Sequence, residues 1–141
     1  MKQIHKNQND FCETMDLCGP DAWNDKFTWL VALSEQIPVK CPVELLPHRV
    51  LACQSMTYFH AFIFYGKLRV NGWCNTAVQR GIIASMIHIF DGTPAFELTD
   101  ESDVFFHIKS GLIDHLTPLR QGGLREMIRR ITVLCPEKTQ A

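Results

Sequence analysis

Cysteine thiolates are the strongest nucleophiles that side chains offer at neutral pH, and this chain carries six cysteines: Cys12, Cys18, Cys41, Cys53, Cys74 and Cys135. An even number raises the question of a disulfide framework, but the polar start, residues 1–10, holds no apolar export segment, so reduced thiols are expected. No CxxC, CxH or HxxxH pair supplies two ligands at the short spacings that structural zinc sites and paired redox motifs use. Cys53 stands apart from the other five. It lies in Val50-Leu51-Ala52-Cys53-Gln54-Ser55, among small and polar residues between two strand-like runs, where a turn held by a sheet would present its side chain. Gln54 and Ser55 are placed to supply polar contacts at that turn. A self-contained cysteine enzyme would need His60, His88 or His115 as its base, and an iron–sulfur scaffold would need at least three converging thiolates.

The elements that must position Cys53 follow from periodicity. Trp23, Phe27, Leu30 and Val31 recur at helical spacing and predict a helix from about Ala22 to Gln36, ended by Pro38. Pro38, Pro42 and Pro47 make an extended connector. From Arg49 to Gly72 the period becomes two, and Gly66-Lys67 marks a hairpin turn, with Arg49 to Leu51 as a third pairing segment. Asn75 or Thr76 caps a core helix containing Ile82, Ile83, Met86, Ile87, Ile89 and Phe90. Two short helices then lead to Thr117-Pro118, which opens a long amphipathic helix whose Arg125, Glu126, Arg129 and Arg130 take the wet face.

The expected fold class is therefore α+β, a small antiparallel sheet of about three strands flanked by N-terminal and C-terminal helices. Residues 1–20 are expected to be a weakly ordered leader, 21–135 a single domain and 136–141 a tail. The chain is 141 residues long, 46% hydrophobic and of formal net charge -1, which gives no electrostatic pull toward nucleic acid or membrane surfaces. With no apolar run near the length of a membrane span and a polar start, a cytoplasmic location is expected.

Several of these segments resemble the SufE family. Val50 to Ser55 resembles its V-x-G-C-Q-S segment around the sulfur-accepting cysteine. Trp23-Asn24-Asp25-Lys26-Phe27, Glu35-Gln36-Ile37-Pro38, the helix Ala77 to Ile83, Asp91-Gly92-Thr93-Pro94 and His115 to Leu124 are similar to further family stretches in the same order, so the resemblance spans residues 23 to 131. Ala52 stands where that family has glycine, Asn75 in the place of an acidic residue, and Trp73-Cys74 in the place of a small polar pair.

The resemblance implies a SufE/IscU-like fold and a sulfur acceptor that activates a cysteine desulfurase, carries sulfur as a persulfide on Cys53 and delivers it for iron–sulfur cluster assembly. The implied donor is a SufS-like desulfurase and the implied recipient a SufB-containing complex, with the chain a monomer or weak homodimer that holds no cofactor. Such transfer needs a thiolate, so a cation near Cys53 is expected, with Arg120 the candidate and His115 and Asn75 as further supports. The alternatives are an IscU-like scaffold and an interaction module whose cysteine is incidental.

Overall fold

The computed structural model describes residues 1–53 and 55–136. Helix α1, Gln3–Leu17, buries Ile4, Gln8, Phe11, Cys12 and Met15 on one stripe. This corrects the expected weakly ordered leader, because the stripe is helical but has a glutamine at its centre. Gln8 is fully buried and fully bonded: its Nε2 donates to Ile4 O at 3.0 Å and Asp103 O at 2.7 Å, and its Oε1 accepts from Phe105 N and Phe106 N. A buried amide with every partner supplied costs little and fixes the register of the helix against its neighbour.

Helix α2, Trp23–Leu33, runs on through a 3-10 turn, Ser34–Gln36, to the proline connector. Strands β1, Thr57–Phe64, and β2, Lys67–Cys74, pair antiparallel with Thr57 opposite Cys74 and Phe64 opposite Lys67. The two-residue turn between them, Tyr65-Gly66, has positive φ at both positions, the mirror-image turn that matches the twist of a hairpin. The sheet has two strands rather than three. Arg49 forms a single bridge to Tyr58, and the chain turns away directly afterwards, so no third strand develops.

Helix α3, Ala77–Phe90, is the centre of the core, burying Ile82, Ile83, Met86, Ile89 and Phe90 against β2, α2 and α1. It meets α2 so closely that a Cβ on Gly81 would lie 1.9 Å from the Leu30 carbonyl oxygen, which only glycine avoids. The chain then makes 3-10 turns at Ala95–Glu97 and Glu101–Asp103, the short helix α4, Phe106–Lys109, and a 3-10 turn Leu112–His115. Helix α5, Pro118–Thr132, begins at Thr117, whose Oγ1 accepts from Arg120 N. Leu124, Met127, Ile128 and Ile131 bury its apolar stripe. The architecture is α+β, a two-stranded antiparallel sheet flanked by helices.

Candidate functional site

Cys53 sits on the turn that joins the connector to β1. That turn is pinned at both ends: Val50 N donates to Thr57 O at 2.8 Å, and Asn75 N donates to Met56 O at 3.2 Å. Between the pins the described backbone is closed only by a long hydrogen bond from Cys53 N to Val50 O, 3.4 Å. Gln54 lies outside the described residues. Ala52 fits without strain, since Tyr65 alone among the described non-glycine residues has positive φ.

The Cys53 side chain is half-buried and rests on the backbone of α5, where a Cβ on Gly123 would come within 2.1 Å of the sulfur. Gln79 Nε2 donates to Cys53 Sγ at 3.7 Å. Gln79 is only 2% exposed, and its Oε1 accepts no hydrogen bond among the described residues, which leaves an unpaired acceptor beside the sulfur. The cleft over the sulfur holds about 510 Å³. Cys53, Ser55, Thr76 and Gln79 line one side, and Thr117, Leu119 and Arg120 from the start of α5 line the other. Leu119 in its lining and Leu51 and Met56, close to Cys53 along the chain, are exposed apolar side chains.

The electrostatics bring in a second arginine. Burial pushes the Cys53 thiol up, the Thr57 hydroxyl and Arg130 pull it down, and Cys74 pushes it up, with burial dominant. Arg130 is one cation whose charge pulls this thiol down. Arg120 is exposed, lines the same cleft and faces whatever enters it. Arg130, expected on the wet face of α5, instead reaches across to the sheet. Its guanidinium donates to His48 O, Phe59 O and Arg49 O at 2.7–2.9 Å, anchoring the strap that leads into the Cys53 turn. Helical periodicity cannot reveal this, because the long stem leaves the helix face on which its Cα sits.

His115 does not support the cleft. Its ring stacks on Trp23 at 3.7 Å and its Nδ1 pairs with Gly111 O. Asn75 is exposed and contributes through its backbone N–H to Met56. Ser55 Oγ lies 3.1 Å from Thr57 Oγ1 and 3.4 Å from Cys74 Sγ. Cys74, the last residue of β2, is completely buried yet holds its thiol below the ordinary value. Burial raises it, and hydrogen bonds from Ser55, Thr57 and Thr76 outweigh the burial. Sequence reasoning had no means to find Gln79, Thr57 or Thr76, whose types and spacing are ordinary for a strand and a helix start.

No three His, Cys, Asp or Glu side chains converge as a metal site among the described residues. No helix among them is long and apolar enough to cross a membrane.

A family model described as "SufE: Fe-S metabolism associated domain" matches residues 10–135. The chain is 32% identical to an uncharacterised SufE-like protein of Rhizobium meliloti, across 82% of this chain and 86% of that one. It is 25% identical to another uncharacterised SufE-like protein, of Rhizobium etli, across 79% and 78%. The fold is shared with the solution structure of a hypothetical protein from Thermus thermophilus. There the TM-score is 0.67 at 19% identity, over 99% of this chain and 97% of that one.

Proposed function

Because the chain belongs to the SufE family, associated with iron–sulfur metabolism, through a match over residues 10–135, we propose that it accepts sulfur from a cysteine desulfurase as a persulfide on Cys53 and delivers it for cluster assembly. The observation that carries this reading is the placement of Cys53. It is a half-buried thiol on a turn pinned at both ends, opening into a cleft that also presents Arg120.

In the transfer step the Cys53 thiolate attacks the outer sulfur of the donor's persulfide. The donor's S–S bond breaks, its cysteine leaves as a thiolate, and Cys53 gains one sulfur. At rest, burial keeps the Cys53 thiol protonated and its sulfur guarded by Gly123 and Gln79. A docking donor draws the turn outward, returns the thiol to water and so frees the thiolate. Gln79 Nε2 and Arg120 are the groups available to hold negative charge on the sulfur during transfer. The donor is of the SufS-like kind and the recipient a SufB-containing complex, both approaching over Leu51, Met56 and Leu119. A scaffold reading, by contrast, needs three thiolates meeting, and the described residues offer no such group.

Incubation with a desulfurase and cysteine, with early alkylation and peptide mass mapping, tests this. A gain of about 32 Da, one sulfur atom, is expected on Cys53. Cys53→Ser should abolish transfer and desulfurase activation while keeping donor binding. Added mass on another thiol alone, or on none, overturns the assignment.

A further inference from the structure

Cys74 has no part in that scheme, yet its surroundings are unusual for a buried thiol. Three hydroxyls surround its sulfur: Thr57 Oγ1 at 3.2 Å, Thr76 Oγ1 at 3.3 Å and Ser55 Oγ at 3.4 Å. Cys12, also buried, meets the Phe106 carbonyl at 3.7 Å, and burial pushes its thiol up to about 11. The cage around Cys74 reverses that effect.

The cage is also part of the Cys53 site. Ser55 and Thr76 line the cleft with Cys53, and the Thr57 hydroxyl acts on both sulfurs. The turn carrying Cys53 is fixed at both ends beside Cys74. Val50 bonds to Thr57, the cross-strand partner of Cys74, and Met56 bonds to Asn75, the next residue along the chain. Gln79, whose Nε2 meets the Cys53 sulfur, lines the same cleft and keeps a buried Oε1 without a partner among the described residues.

We propose that Cys74 is a resolving thiol that clears uncollected sulfur from Cys53; the inference rests on the persulfide reading above. The Cys74 thiolate attacks the inner sulfur, Cys53 Sγ. The persulfide S–S bond breaks, its electron pair and the persulfide's own proton leave as hydrosulfide, and a Cys53–Cys74 disulfide remains. No outside oxidant is required, since the persulfide already carries the oxidising equivalent. Attack on the outer sulfur would instead expel the Cys53 thiolate, which its buried seat destabilises. Hydrosulfide departs into the open cleft beside Arg120. Bond formation requires Cα atoms within roughly 7 Å, and for Cys53 to leave Gly123 for Cys74 it must break two long contacts among the described residues, to Val50 O and Gln79 Nε2.

The test loads unaltered protein and Cys74→Ser with desulfurase and cysteine, removes both, and follows intact mass, released sulfide and non-reducing peptide maps without recipient or reductant. Serine keeps a small polar side chain in the cage, and the disulfide map of unaltered protein needs no variant at all. The unaltered protein should pass through a gain of about 32 Da, release one sulfide per chain and end about 2 Da below its starting mass with Cys53 joined to Cys74. In Cys74→Ser the added sulfur should persist at least tenfold longer. Equal persistence in both overturns the resolving role and leaves the carrier reading standing, as does a Cys53 disulfide to any other cysteine. Absence of added sulfur on Cys53 in both proteins overturns both.

Discussion

Gly123 sets where Cys53 rests. The sulfur lies against the backbone of α5, in space that any other residue would fill with its Cβ. Gly123→Ala should therefore displace Cys53 while restoring helix propensity. Overpacking costs about 1–3 kcal/mol and the propensity gain offsets about 1 of that. Alkylation of Cys53 should quicken several-fold with a small loss of thermal stability, and unchanged labelling would contradict this seat. At this scale the turn that carries Cys53 was legible in the sequence, from small and polar residues next to a strand-like run. Its surroundings were not. Gln79, Thr57 and Thr76 meet the two sulfurs only through the β1–β2 register and the docking of α3, and Arg130 anchors the strap only through a long reach across the sheet.

Among the elements, α1 is the clearest departure from expectation. It is held to the chain after α3 by Asp103, which is 5% exposed and accepts from Lys2 Nζ, His5 Nε2, Thr99 N, Thr99 Oγ1 and Asp100 N. Burial raises this carboxyl, and those donors more than reverse it, holding it well below the usual carboxylate range. Asp103→Asn places an amide against a ring of donors and should cost about 2–3 kcal/mol, less than a fully buried pair because Lys2 is one-third exposed. Urea unfolding measures the loss, and hydrogen exchange should rise in α1 before α3. The helix was hidden in the sequence because Gln8 interrupts an apolar stripe, and only the carbonyl of Asp103 and the N–H groups of Phe105 and Phe106 make that glutamine a core residue. The core helix α3 and the amphipathic α5 were legible because their stripes are unbroken.

For the whole molecule, acid should unfold the protein in two stages. Buried His107 has an Nδ1 without a partner among the described residues, and burial, with Arg125 nearby, lowers its pKa from 6.5 to about 4. A base depressed in the folded state contributes full stability above 6.5 and loses it as pH falls toward 4, on the order of 3 kcal/mol in all at about 1.4 per unit. Below roughly 4, the depressed carboxyl of Asp103 takes over as it gains its proton. Thermal unfolding from pH 7 to 3 should show both limbs, and His107→Phe should flatten the upper one alone. The α+β class was legible from the change of period along the chain. The strand count was not, since a single Arg49–Tyr58 bridge looks in sequence like the start of a strand.

The Cys53 sulfur rests against Gly123 of α5 on one side and opens on the other into the cleft lined by Ser55 and Arg120. On the proposed carrier reading, loading and unloading share that one doorway, so donor and recipient are expected to take turns at the sulfur.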